Sequence, residues 1–334
     1  MKIHITNLYG AWGTHALAQR NVTKIARELG FTEMGLYQYP VECDSKEELR
    51  KRLDGITSAV EEGDIVIFQS PTWNAASYDR ALVNNIRTRK NIRLAIFIHD
   101  VITMMFEGAP EKNLLEFIQI YNMADLVIVP SERMLAFLQE KGLTVKKTLV
   151  QSMWDLPFTG EVKTPEFRRQ VFFSGSPNRF KSITFWNQDV PLCWFTNKEF
   201  EIGKNGKNIL PSGWKNTVEL LTAYTEGGFG LVWEQTDRSE YYKYNQPHKL
   251  STYLAAGIPV IMQKGLVHEQ TVSEQGLGFI VDSFEEAADI VTNISEEEYY
   301  QLVNNIKNIS FLVRGGFFTK KLLLDTVNYL LLGL

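Results

Sequence analysis

Cysteine is scarce in this chain: Cys43 and Cys193 are the only two, and they form no C-x-x-C pair. That excludes a disulfide framework and a cysteine-ligated metal or redox centre, and free thiols in a reducing cytosol are the simplest reading. Long apolar runs are missing as well, since none approaches the ~20 residues that span a bilayer. The most apolar segment, LLLDTVNYLLLGL, is interrupted by Asp325, Thr326 and Asn328, so a packed terminal helix or an oligomer contact fits it better than an anchor. The opening MKIHITNLYGAW has neither the apolar core nor the small-residue cleavage site of a signal peptide, and a cytoplasmic location is expected. Positive charge is not in excess: the formal net charge of -4 gives no global attraction to nucleic acid or an anionic membrane. The most basic window, Arg87 to Arg93, lies between a helical and a strand-like segment and reads more simply as a solvated helix end than as a binding patch.

Several chemical signatures are absent too. His4, His15, His99, His248 and His268 show no metal-ligand spacing, so no metal site is expected. There is no G-x-x-x-x-G-K-S/T of a P-loop nucleotide hydrolase and no G-x-S-x-G of a hydrolase elbow. A strand-end D-x-D, which would tether a metal-bound nucleotide sugar, is missing. Any phosphate bound here must be neutralised by side chains and helix ends.

What is present is an alternation. A chain of 334 residues predicts two domains of roughly 150 residues each. In the first half the buried-strand runs KIHITNL (2–8), IVIFQSP (65–71), RLAIFIHD (93–100) and DLVIVPS (125–131), with a weaker KTLVQS (147–152), alternate with helices near 14–29, 45–62, 75–90, 111–123 and 131–141. Ser45-Lys46-Glu47-Glu48 is a full capping box. The Pro-, Gly- and charge-containing stretch from Met153 to Gln170 reads as a linker. The second half repeats the rhythm with strands at 170–176, 191–196, 207–211, 229–233, 259–263 and 278–281, and helices near 214–226, 247–256, 267–275, 283–292 and 296–308. Two doubly wound α/β domains facing a cleft are therefore expected, with ligands beyond the carboxyl ends of the strands.

The candidate residues follow those strand ends. After the first strand, Gly10 and Gly13 permit close backbone approach and Thr14 opens a helix, a pattern shared by ligand loops and plain β-α turns. QSPTWN supplies Ser70, Thr72, Trp73 and Asn74, which suit either hydrogen bonding and stacking against a sugar or domain packing. IHDV places His99 and Asp100 at a central strand end, where a general base would stand; a loop-capping Asp is the other reading. In the second half FFSGSPNRFKS brings Ser176, Asn178 and Arg179 just past a strand, and Arg offers a fork of donors matched to phosphate oxygens. NQPHKLSTYLAAGIPVI then starts a helix at Pro247 with Lys249, Ser251 and Thr252 near its free N–H groups and ends it at Gly257. Arg179, Lys249 and that helix end together form a candidate diphosphate clamp.

These stretches resemble a GT-B glycosyltransferase, and within that fold the bacterial glucosyltransferases that extend O-linked N-acetylglucosamine on serine-rich-repeat adhesins. The resemblance is carried by KRLDGI (51–56), GDIVIFQSPTWN (63–74), IFIHDV (96–101), VQSMWDLP (150–157), GSPNRF (175–180), GGFGLVW (227–233), KLSTYLAAGIPVI (249–261), GLGFIV (276–281) and GGFFTKKLL (315–323). It implies an acceptor-side Rossmann-like domain, 1–152, rejoined by a terminal helix at 318–334, and a nucleotide-sugar domain, 153–317. It implies a UDP-sugar donor, no cofactor and no metal, a GlcNAc-modified Ser/Thr-rich adhesin as acceptor, and a homo-oligomer, expected to be a tetramer. The catalytic set is expected among Asp100, His99, Arg179 and Lys249. Donor binding is expected from Gly13, Thr14, Ser176, Asn178, Arg179, Pro211, Lys249, Ser251 and Thr252, and acceptor binding from Thr72 and Trp73. The wider GT-B pattern has a ribose-binding Glu where this chain has Thr252. The transferred sugar is expected to be glucose or N-acetylglucosamine, and two alternatives stay open: another donor such as UDP-galactose or UDP-galactofuranose, and a non-catalytic glycoprotein-binding partner of another transferase.

Overall fold

The computed structural model describes residues 1–105, 110–196, 201–202, 206–234 and 240–333. Two compact units emerge: Met1–Trp154 with Gly316–Leu334, and Asp155–Gly315. The sequence places the divisions at 152/153 and 317/318, and the packing places them at 154/155 and 315/316.

The first unit holds six parallel strands, β1 (Ile3–Tyr9), β2 (Thr32–Tyr37), β3 (Ile65–Ser70), β4 (Arg93–Ile98), β5 (Leu126–Val129) and β6 (Thr148–Val150). They lie in the order β2-β1-β3-β4-β5-β6. Helices cover both faces of β3, β4 and β5, so these strands read as unbroken apolar runs. β2 is the strand that the sequence does not predict. It is an edge strand with alternating burial, and Glu33 and Gly35 interrupt its apolar character. Ile5, Ile67, Phe97 and Ile128 form a core with Val22 of the helix Thr14–Glu28, and Leu322, Leu323 and Leu330 of the terminal helix Phe317–Leu332 complete it. Full burial of each such side chain contributes about 1.5–3 kcal/mol before chain entropy is counted. The predicted capping box is formed: the Ser45 side chain accepts from Glu48 N–H at 3.3 Å, and the Glu48 carboxylate accepts from Ser45 N–H at 2.8 Å. The basic window is tied inward, with Arg87 donating to the carbonyls of Met123 and Ile92, and Arg89 to those of Val60 and Thr57.

The second unit also has six parallel strands, β7 (Val171–Ser174), β8 (Asn187–Phe195), β9 (Lys207–Pro211), β10 (Phe229–Val232), β11 (Val260–Gln263) and β12 (Gly278–Val281), ordered β12-β11-β10-β7-β8-β9. The helix His248–Ala256 seats on β7 and β10 through Tyr253, whose hydroxyl donates to the carbonyls of Phe172 at 3.2 Å and Leu231 at 3.3 Å. Gly230 is what admits that ring, since a Cβ there would stand 2.2 Å from it. The helix begins one residue later than the sequence predicts, with Pro247 as its flanking residue. It ends in a Schellman motif: Gly257 is left-handed (φ 82°), its N–H donates to Leu254 O at 3.1 Å, and Ile258 N–H donates to Tyr253 O at 3.2 Å.

In each sheet the chain lays strands to one side of the first strand and then crosses to the other. The reversal falls between β1 and β3 in the first unit and between β7 and β10 in the second. Ligand crevices in open parallel sheets lie at the carboxyl ends of such strands.

Candidate functional site

In the second unit the loop after β7 builds one half of a cationic cluster. The Ser176 carbonyl accepts from Arg179 N–H and Phe180 N–H, both at 3.0 Å, and this tight turn carries Arg179. Gly175 (φ 150°) lets the Phe180 ring close on the loop, because a Cβ there would meet the ring at 2.7 Å. The Lys249 ammonium, from the start of the helix His248–Ala256, lies 3.6 Å from the centre of that Phe180 ring. The rings of Phe173 and Tyr242 stand 5.0 Å and 5.7 Å from it, and Arg179 lies 5.7 Å from the Phe180 ring. Three aromatic faces and a helix N-terminus thus surround one ammonium, with a guanidinium beside it.

The electrostatics make this cluster receptive to an anion. Burial holds the Lys249 ammonium well below its usual pKa, the Arg179 charge pushes it lower still, and Glu234 pulls it back up. His248 is lowered to about 3 by burial, then by Lys249 and Arg179, so its imidazole stays neutral at physiological pH. Glu234 has no place among the sequence candidates. It follows β10 at the reversal point, buried, its N–H donating to Gln263 Oε1 at 3.0 Å and its carboxylate accepting from Tyr242 N–H at 2.9 Å. It therefore holds the Tyr242 turn and supplies the charge that counters Arg179 on Lys249. A carboxylate directly after a buried strand is its only sequence signal.

The other donor candidates fall around this cluster or away from it. Ser176 shapes the Arg179 turn, and Asn178 is exposed on it. Ser251 is buried within its helix, and the Thr252 hydroxyl donates to His248 O at 3.0 Å, within the same helix. Pro211 ends β9, an edge strand on the far side of β8. Gly13 (φ 103°) and Thr14 belong to the first unit, where they start the helix Thr14–Glu28 beside the β1/β3 reversal.

In the first unit Thr72 is fully buried and donates its hydroxyl to Asp79, so it serves the interior of that loop. Trp73 follows with φ 60°, its carbonyl accepting from Gln38 Nε2 at 3.2 Å and its ring 4.3 Å from that of His15. His99 is 2% exposed and packs between the rings of Phe97 at 4.4 Å and Trp154 at 4.9 Å, while Asp100 is half-buried beyond it. Both residues lie just past the last residue of β4, Ile98. Burial raises the Tyr121 phenol, and the charges of Asp79 and Asp100 add to the rise. No group of His, Cys, Asp and Glu able to hold a metal ion occurs among the described residues.

Comparison with known proteins covers nearly the whole chain. A family model described as glucosyltransferase 3-like, N-terminal domain, matches residues 2–153, and one described as glucosyltransferase 3-like, C-terminal domain, matches residues 171–326. Glucosyltransferase 3 of Streptococcus gordonii is 44% identical over 98% of each chain, and that of Streptococcus parasanguinis 40% identical over 98% of each. The β-1,6-galactofuranosyltransferase WbbI of Escherichia coli K12 is 22% identical over 83% of each. Among solved structures, sucrose-phosphate synthase from Thermosynechococcus elongatus aligns with a TM-score of 0.71 at 13% identity over 100% of both chains. Anabaena Alr3699/HepE, solved in complex with UDP-glucose, aligns with a TM-score of 0.65 at 13% identity over 98% of this chain and 99% of its own. At such identities these two likenesses show the fold, which is GT-B.

Proposed function

Because the chain belongs to the glucosyltransferase 3-like family, we propose that it moves glucose from UDP-glucose to an N-acetylglucosamine already attached to Ser or Thr of a serine-rich-repeat adhesin. It is an enzyme, a UDP-sugar-dependent glycosyltransferase. The observation that carries the donor side is the Arg179–Lys249 cluster at the β7/β10 reversal. As the bond between the anomeric carbon and the β-phosphate oxygen breaks, UDP gains negative charge. Arg179, Lys249 and the helix start are arranged to receive it, and such preorganised groups act most strongly where charge develops. The cluster brings two cations of its own, and the proposal includes no metal and no cofactor. Asp100 is proposed as the group nearest the acceptor hydroxyl, with His99 packed behind it. The protein acts in the cytoplasm as a homo-oligomer, a tetramer in this proposal; no helix among the described residues is long and apolar enough to cross a membrane.

The test is a donor panel of UDP-glucose, UDP-N-acetylglucosamine, UDP-galactose and UDP-galactofuranose, with a GlcNAc-bearing Ser/Thr peptide as acceptor and products read by mass spectrometry. Transfer from UDP-glucose, undiminished by a chelator, is expected. The likeness to WbbI favours one other reading, a galactofuranose donor, and preferential turnover of UDP-galactofuranose would replace glucose with it.

A further inference from the structure

The loop that follows β3 is tied at every residue from Pro71 to Asn74, by groups from two helices and from the end of β2. The Pro71 carbonyl accepts from Gln19 Nε2, on the helix Thr14–Glu28, at 2.8 Å. Thr72 donates its hydroxyl, and its N–H at 3.4 Å, to the carboxyl of Asp79 in the first turn of the helix Ala76–Ile86. The Trp73 carbonyl accepts from Gln38, while the Asn74 carboxamide accepts from Tyr39 N–H at 2.9 Å and donates to the Tyr37 carbonyl at 3.3 Å. Just before the loop, the Ser70 carbonyl accepts from His99 N–H at 2.8 Å, which ties it to the end of β4. Within this frame Trp73 is left-handed, a conformation that a bulky residue keeps only when its surroundings enforce it.

Two of the holding groups stand where an apolar side chain would pack without penalty. Gln19 and Asp79 are each 1% exposed. Gln19 belongs to a buried polar layer in which Gln69 Nε2 donates to Thr23 Oγ1 at 2.9 Å and to the Gln19 carbonyl at 3.3 Å, beside the apolar core of Ile5, Val22 and Ile67. Among the described residues no cation pairs with Asp79, and burial lifts its carboxyl to about 7 against the bonds from Thr72 and Ser70. Burial therefore costs this carboxylate more than its hydrogen bonds return. Neutral or apolar groups in place of such buried charges are often harmless or stabilising, so the fold alone gives no reason for Asp79. What it and Gln19 share is the backbone that carries Trp73, and local rules are broken in this way where a functional geometry has to be held.

We infer that Asp79 and Gln19 are positioning residues for transfer: from two helices they fix the Pro71–Thr72 backbone, and through it the Trp73 indole, in the conformation that meets the acceptor. The role of Trp73 toward the acceptor rests on the function proposed above; the clamp rests on the hydrogen bonds of the loop.

The experiment uses the full chain with UDP-glucose as donor and methyl N-acetylglucosaminide as acceptor, and the variants Asp79→Asn and Gln19→Leu. Asp79→Asn is expected to raise the acceptor KM roughly threefold to tenfold, with kcat and UDP affinity within about twofold of the parent. Its stability to denaturant at pH 7.5 should equal or exceed the parent's, because a buried charge is gone; a merely structural role predicts the reverse. Gln19→Leu should move KM in the same direction, and it tests the clamp even if the Asp79 variant folds poorly. In a Thr72→Val background Asp79→Asn should add little, since both remove one link. An acceptor KM unmoved in both single variants overturns the inference, and so does a rise in KM that comes with equal losses of UDP affinity and stability. If the parent transfers nothing to this acceptor, hydrogen exchange of residues 70–75 by mass spectrometry decides. Exchange about tenfold faster there in the variants, and unchanged elsewhere, keeps the clamp and overturns the proposed acceptor, whereas unchanged exchange overturns the clamp.

Discussion

Both units are six-stranded parallel sheets that reverse direction beside their first strand, yet the side chains gathered at the two reversals have opposite character. At β7/β10 stand Arg179 and Lys249, two cations over aromatic rings with Glu234 behind them. Around the strand ends of the first unit stand Trp73, Asp79 and Asp100, an indole and two carboxyl groups. The two sheets thus share a topology and differ in the few residues that follow their strands.

The largest expected effect tests the cationic side of this contrast. Arg179→Ala or Lys249→Ala should lower kcat by a hundredfold to a thousandfold, about 2.7–4 kcal/mol of barrier, and weaken UDP binding in calorimetry. Near-parent rates in both would dissolve the contrast.

Next comes the acidic side. Burial raises the Asp79 carboxyl from its ordinary value to about 7, against the hydrogen bonds from Thr72 and Ser70 that lower it. The folded state thus binds a proton that the unfolded chain has released, and stability from this group falls as pH rises from about 4 through 7. Between pH 5 and 7.5 the loss is about 2.5 kcal/mol. Asp79→Asn should flatten that decline in denaturant titrations at the two pH values, and an unchanged slope would remove Asp79 from the account.

A smaller effect sharpens the electrostatic reading of Lys249. Anion binding favours its ammonium form, so UDP affinity should fall as pH rises through the range where free Lys249 loses its proton. Glu234→Gln withdraws the charge that holds this proton and should move the falling limb to lower pH, a severalfold difference in affinity where the parent has lost half of its own. Superimposable pH profiles would show that Glu234 only braces the Tyr242 turn. The smallest effect serves as a control on the first unit: Ser45→Ala breaks the capping box and should lower stability by about 1 kcal/mol in chemical denaturation, with no change in UDP affinity.

Much of this was legible in the sequence because parallel strands covered on both faces carry continuous apolar runs, as β3 to β5 and β10 and β11 do. β2 escaped because an edge strand carrying Glu33 and Gly35 has no such run. Arg179 and Lys249 stood out because each follows backbone punctuation, Gly175-Ser176-Pro177 in one case and Pro247 in the other. Glu234 had no flanking signal, and its place matters only once β10 is known to lie beside β7. The surroundings of His99 were hidden because Trp154, which packs against it, lies far along the chain. Thr252 drew interest as the position of an expected acid, but helix geometry returns its hydroxyl to the carbonyl of His248.

The terminal helix Phe317–Leu332 has a consequence for how the protein is made. Its Leu322, Leu323 and Leu330 belong to the core of the unit that includes Met1–Trp154, so on the ribosome that unit lacks part of its core until Phe317–Leu332 has been made. The second unit, continuous from Asp155 to Gly315, has its whole sequence earlier. Vectorial synthesis, which ordinarily favours the N-terminal domain, here lets the second unit finish first and leaves the first strands waiting for a helix made about 160 residues after the rest of their own unit.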